Sequence, residues 1–401
     1  MAGRRDAVDD VDMDVDVDDG DDDTVEAVAV DTRGNGHGGH AIVLSDPRER
    51  WWPSPAGVAA RFGAIAFLVL LVLLIPHMLP TTLVNIAARA AVFGIVALSM
   101  NVLMGYAGQV SLGHQAFVGV GAFTAAYFLS ESGLPYPMAL IGAMATGAAT
   151  ALILGAVALR VSGLYLALVT IAYGLFAQEV IFNIRALTGG GAGLRAPRPG
   201  VFDSDIAYVY FCVIMLAVCL IFDWRLTSTK AGRAIEALRD DERVAASWGI
   251  NVTAYKLLAF VISGSIAGLA GALFAGIEQV VTPVDFSFTL ALTFVLMTVV
   301  GGLGVRSGVV QGGIFFAILP TLLDKAHANW HFFPFTQFDA LWEPLIGALL
   351  LIVTLIQFPG GIAQQQEHLR RWLSFGPFRA DPIVDPSLGT RRRRSGRGHD
   401  G

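Results

Sequence analysis

The sequence predicts an all-α protein that crosses a membrane about ten times. Three observations predict it. Apolar stretches near 20 residues recur between about residues 62 and 358, and a helix needs about 20 apolar residues to span a hydrocarbon core of roughly 30 Å. The chain is 54% hydrophobic and only 15% charged, against about 25% charged residues in a typical soluble domain. The charge also gathers at the two ends, in "DDVDMDVDVDDGDDD" near the start and "RRRRSGR" at 391–397.

Residues 1–60 read as a disordered acidic tail, because so few apolar groups cannot bury a core. This tail dominates the formal net charge of −6. It carries no apolar h-region and so does not read as a signal peptide. The "WWP" at 51–53 suits an interfacial anchor ahead of the first span. Residues 61–363 form the membrane domain. Its spans fall at about 63–80, 83–104, 110–129, 136–159, 163–183, 206–223, 254–281, 288–304, 308–324 and 341–358. Residues 364–401 form a basic tail.

Lys/Arg placement orients these spans. With the N-terminus inside, Arg160, the cluster from Arg225 to Lys256, Arg306 and the basic tail all fall inside. Arg185, Arg195, Arg198 and Lys325 fall outside. That asymmetry predicts an even number of spans with both termini cytoplasmic.

Several features mark individual segments. In 254–281, Ser263, Ala267, Gly271 and Ala275 form an i, i+4 stripe beside Gly264 and Gly268. Small faces let helix backbones approach closely in lipid, so the stripe reads as packing. Cys212 and Cys219 lie seven residues apart on one helix face and read as small packing residues, with no metal-ligand spacing.

The stretch "GYAGQVSLGHQAFVGVGAF" from Gly105 to Phe123 is different. Glycines at 105, 108 and 113 weaken a helix by roughly 1 kcal/mol each relative to alanine. Irregular backbone in lipid survives only where protein covers it or where it lines a cavity. Gln109, Ser111 and His114 are therefore candidates for the translocation path, facing water or bracing freed backbone groups. Glu179 and Arg89 join them as the acid and the base placed deep within spans, since intramembrane charge is costly and functional by default. An Arg89–Glu179 pair is one arrangement that the sequence allows.

The inner loop 226–253 carries two cappable short helices. Ser228 or Thr229 is placed to cap the first, through about Leu238, and Asp240 or Asp241 the second, through Trp248. Gly249 suits the position after its end. Ile235, Leu238, Ala245 and Trp248 supply an apolar docking surface on this charged element.

"ALSMNVLMGYAGQVSLGHQAFVGVGAFTAA" resembles the signature region of the permease subunits of ABC importers for branched-chain amino acids. "LRVSGLYLALVTIAYG" with "LTGGGAGL", "GRAIEALRDDERVAASWGINVTAYKLLAFVISGSIAGLAGAL", "FSFTLALTFVLMTVVGGLGVRSGVVQGGIFFAILP" and "FPGGIA" resemble its later blocks, in order, over about 83–363. One departure stands out. The family has an acid directly after the glycine of the "AYG" segment, whereas here that place is Leu175 and the acid is Glu179.

The resemblance implies the fold of an ABC importer permease in the plasma (inner) membrane. It implies a second, related permease chain, two ATP-binding cassette subunits and an extracytoplasmic solute-binding protein as partners, and no nucleic acid. It makes 226–253 the loop that seats in the ATPase, with Gly232, Arg233, Glu236, Ala237, Arg239, Asp240 and Gly249 as coupling candidates. The same architecture also serves urea and short-chain amides. No GxxxxGK[ST] loop occurs, so the chain binds no cofactor itself and ATP is used by its partners. A secondary transporter driven by an ion gradient calls for paired intramembrane acids, which the sequence scarcely supplies. An intramembrane enzyme finds no HExxH or GxSxG motif and no catalytic residue.

Overall fold

A computed structural model of the chain describes residues 80–158, 163–329 and Leu349. The first and tenth anticipated spans and both tails lie outside the described residues. Each of the eight other anticipated spans holds a helix. The first, α1 (Thr81–Met100), starts after Pro80 in extended conformation and runs on into a π-helical turn, Asn101–Tyr106. Then come α2 (His114–Ser130), α3 (Tyr136–Ala158) and α4 (Leu164–Glu179). A short α5 (Arg185–Thr188) precedes α6 (Asp205–Ser228). The loop helices α7 (Lys230–Asp240) and α8 (Glu242–Ser247) lead to α9 (Val252–Glu278), α10 (Phe288–Gly301) and α11 (Arg306–Asn329). Five helical segments among the described residues are long and apolar enough to cross a membrane: Leu83–Tyr106, Tyr136–Val157, Tyr165–Asn183, Asp205–Ser228 and Val252–Glu278.

The third span starts at His114 rather than at residue 110, because residues 107–113 are irregular and Gly108 takes φ +66°. This break is held from both sides. Gln109 N donates to Leu103 O at 2.9 Å, and Leu112 N donates to Thr170 Oγ1 at 3.0 Å.

The centre of the bundle is α9, packed on α3, α2 and α1, while α11 and α6 cover the rest of α1. The small-residue stripe of α9 makes this packing possible. A β-carbon on Gly121 of α2 would overlap the backbone of Gly268, and one on Gly268 would overlap the Ala143 carbonyl of α3. Backbones that close bring dispersion contacts in a medium where apolar burial alone drives no association. Cys212 and Cys219 are buried and free.

Two sets of contacts sort the loops to opposite ends. Residues 101–106, 223–239 and 304–306 meet at one end, through Arg239 to Gly105, Gly304 to Asn101, and Arg306 to Asp223. At the other end the two-residue strands β1 (Leu194–Arg195) and β2 (Val280–Val281) pair antiparallel, Leu194 opposite Val281. Arg225, Lys230, Arg233, Arg239 and Arg306 therefore lie on elements that gather at the first end, and Arg195 and Arg198 belong to the second. That is the partition an alternating topology requires.

Candidate functional site

A seam of buried polar side chains runs where α1, α2, α4 and α9 meet. Ser99, Ser111, His114, Gln115, Thr170 and Ser263 are all fully buried. Ser99 Oγ donates to Ser263 O at 2.7 Å and lies 2.8 Å from His114 Nε2. Ser263 Oγ returns the bond to Ser99 O at 2.8 Å. With the single Ser99 proton on the Ser263 carbonyl, Nε2 of His114 must carry the hydrogen of their bond. His114 Nδ1 is then a bare acceptor, and it has no partner among the described residues.

Four further buried atoms on or beside this seam also lack a partner among the described residues: Ser111 Oγ, both ends of the Gln115 amide, and Asn101 Nδ2. Gln115 lies against α4, where a β-carbon on Gly174 would overlap its Nε2. An unsatisfied buried polar atom costs about 1–3 kcal/mol, and nearly all such atoms in folded proteins are paired. Five in one region, inside a chain this apolar, mark a place built to meet something polar.

The sequence-derived candidates fall at different points around this seam. His114 and Ser111 sit within it. Gln109 is buried too, but its Nε2 turns back to Ala107 O at 3.3 Å. Glu179 is exposed at the C-terminal end of α4, where it accepts a bond from Gln178. Leu175 is exposed. Glu179 does not pair with Arg89. The partner of Arg89 is Glu278, at 2.5 Å. The reason is packing: α9 lies directly on α1, whereas α4 packs on α2 and α3 at the periphery.

At the opposite end the seam is laced to the loop helices. Arg239 of α7 donates from NH1 to Gly105 O at 2.6 Å. Asn101 Oδ1 accepts from Gly304 N at 2.8 Å. Asp223, fully buried, accepts from Tyr106 OH at 3.0 Å and pairs with Arg306 Nε at 3.0 Å, while Arg306 NH2 donates to Thr227 Oγ1 at 2.6 Å.

The loop forms both short helices. Thr229 caps α7 by accepting from Gly232 N, and Asp241 caps α8 by accepting from Arg243 N and Val244 N. Gly249 takes φ +80°. The apolar docking surface read from the sequence needs correction. Ile235, Leu238 and Ala245 are buried, because the apolar side of these helices packs on the protein's own bundle. What remains outside is Trp248, 82% exposed, and Val244. Arg233, Glu236 and Asp240 are exposed, Ala237 is half-buried, and Gly232 is buried against the Leu226 backbone.

The sequence reading missed Ser99, Asn101, Ser263, Asp223, Arg306 and Glu278 as partners. For Asp223 and Glu278 a signal was available, since each is an acid at the end of an otherwise apolar helix. The serines carry no such mark, because serine bonds its own helix readily and is common in membrane helices.

Comparison with known proteins follows the same bounds. Residues 82–354 match the family described as branched-chain amino acid transport system / permease component. The high-affinity branched-chain amino acid transport system permease protein LivM of Escherichia coli (strain K12) is 31% identical over 341 residues, covering 78% of this chain and 77% of that one. LivM of Salmonella typhimurium is 30% identical over 323 residues, covering 74% and 73%. The galactofuranose transporter permease protein YtfT of Escherichia coli is 28% identical over 295 residues, covering 68% and 79%.

Proposed function

Since this chain belongs to the family of branched-chain amino acid transport permease components, we propose that it is the membrane-spanning subunit of an ATP-driven, solute-binding-protein-dependent importer of branched-chain amino acids. It is a multi-pass membrane protein and a transport subunit rather than an enzyme. Two ATP-binding cassette subunits, a second permease chain and an extracytoplasmic solute-binding protein complete the proposed complex. Both termini are placed in the cytoplasm, on the side of the Lys/Arg-rich loop.

The observation that carries this reading is the joint between loop and seam. An importer must convert movement at its ATPase into access at a polar site within the membrane. Here Arg239, on the exposed loop helix, holds the Gly105 carbonyl at the end of the π-helical turn. The same turn begins at Asn101, two residues after Ser99. A displacement of α7 therefore pulls on the element that positions His114. Trp248 and Val244 offer the exposed apolar contacts for the ATPase. Such docking shifts the equilibrium only if it differs between nucleotide states.

The test is uptake of labelled leucine, isoleucine and valine into membranes holding the full complex. Accumulation should require ATP and the solute-binding protein, and should be competed by the three amino acids but not by galactofuranose or urea. ATP-dependent uptake of a sugar or of urea alone would reassign the cargo. Uptake driven by an ion gradient without ATPase subunits would overturn the class. A cysteine replacing Ser395 should react with an impermeant reagent only after lysis.

A further inference from the structure

We infer that the Arg89–Glu278 ion pair is the station at which the charged backbone of an amino acid is received, the guanidinium taking the carboxylate and the glutamate the ammonium. This rests on the transport reading above and adds to it a pair of residues and a discriminating chemistry.

The placement is unusual for a structural pair. Arg89 lies eight residues after Thr81, about 12 Å along α1, and Glu278 is the last residue of α9. These are the two helices whose membrane-length stretches are the most buried, 72% each. The pair nevertheless stays accessible, with side chains 42% and 28% exposed. A charge turned toward hydrocarbon is costly, so that open flank faces water or protein rather than lipid tails.

The bonding is also incomplete. One contact, Arg89 NH2 to Glu278 Oε1, is all that joins them, and among the described residues neither side chain has another polar partner. Most of the donors on the guanidinium fork and the second glutamate oxygen remain available. Arg198 shows what a structural arginine looks like in the same protein. Its side chain is 3% exposed, its Nε donates to Gly276 O at 2.7 Å, its NH1 pairs with Asp205 at 2.6 Å, and its guanidinium lies 4.6 Å over the Tyr208 ring. Arg198 is fixed by two hydrogen bonds and a ring face, whereas Arg89 makes one contact, to Glu278, two residues from the Gly276 carbonyl by which Arg198 holds α9.

The chemistry selects the ligand class. A zwitterion brings one carboxylate and one ammonium separated by a single carbon. It can open the Arg–Glu pair and replace each partner with its like, so that no charge is left unpaired and the site stays neutral. The planar fork suits a carboxylate in particular. Urea and a neutral sugar carry no such pair of charges and would leave both residues unmatched.

The experiment measures uptake kinetics for labelled leucine in membranes holding the full complex, with insertion followed by surface labelling. Arg89→Gln and Glu278→Gln should each raise KM at least tenfold, and the exchange Arg89→Glu with Glu278→Arg should fail to restore it, because a reversed pair faces the zwitterion the wrong way round. Restoration by the exchange would show a helix-to-helix staple and overturn the assignment. So would KM values within twofold of wild type in both single variants. If the neutral variants do not insert, Arg89→Lys and Glu278→Asp decide: both keep the ion pair, and each should raise KM at least threefold, while unchanged KM would overturn the assignment. A wild-type complex that carries no amino acid would instead defeat the transport reading itself.

Discussion

At the end of the bundle near the loop helices, Asp223 is 1% exposed and receives a tyrosine hydroxyl and an arginine, and that arginine is in turn held to Thr227. At the opposite end, Arg89 and Glu278 share one contact and stay partly open. The same two kinds of charge are thus built once as a buried knot of three linked contacts and once as a single clasp. The difference teaches which end is fixed and which can exchange partners. The knot joins the π-helical turn after α1 to α6 and α11, beside the loop helices. The clasp joins α1 and α9 at the end where we propose that cargo is received.

Removing one member of the knot should have the largest effect. Arg306→Met leaves the Asp223 carboxylate buried without its counter-charge, at a cost of about 3 kcal/mol. The melting temperature of the purified protein should fall, and the double variant Arg306→Met with Asp223→Leu should regain much of the loss. A single variant as stable as wild type would dissolve the contrast. Next comes the seam between the two ends. Ser99→Ala strips His114 Nε2 of its one hydrogen-bond acceptor among the described residues and should cost about 1–3 kcal/mol. Ser263→Ala should cost less, near the 0.6 kcal/mol average for hydrogen bonds between membrane helices. Thermal melts of the two variants check the order.

Gly249→Val should cost about 1–2 kcal/mol locally, because an L-residue is strained at φ +80°. No atom lies within 4 Å of the added β-carbon, so the spans should be untouched. Stimulated ATP hydrolysis in the reconstituted complex should be lost while insertion persists. The smallest effect on stability is expected at the clasp. Arg89→Gln should shift stability by less than about 1 kcal/mol, as for exposed ion pairs. A fall as large as that of Arg306→Met would mean that both pairs are structural.

Much of the fold was legible in the residues. Apolar length located the eight helices that fill anticipated spans among the described residues. The capping residues Thr229 and Asp241 and the positive φ of Gly249 follow from local chemistry, which acts over three or four residues. What lay hidden were contacts between helices far apart in the chain. Nothing local says that Arg89 meets a residue 189 positions away rather than Glu179. The loop shows the same limit. The apolar spacing of Ile235 and Leu238 reveals that α7 has a face to bury, but not whether a partner or its own bundle covers it. Within the candidate site, His114 and Ser111 stood out because glycines around them break the helix, whereas Ser99 and Ser263 sit in unbroken helices and only their mutual bonds reveal them.

The meeting of α2, α3 and α9 at Gly268 carries a consequence for genetics. An alanine there would run into the Ala143 carbonyl, and a side chain on Gly121 would run into Gly268 itself. A bulky side chain can be trimmed by a second mutation, but a backbone carbonyl belongs to every residue and cannot be removed. A selection for restored uptake from a Gly268→Ala strain should therefore return true revertants at codon 268, and no compensating changes at positions 121 or 143.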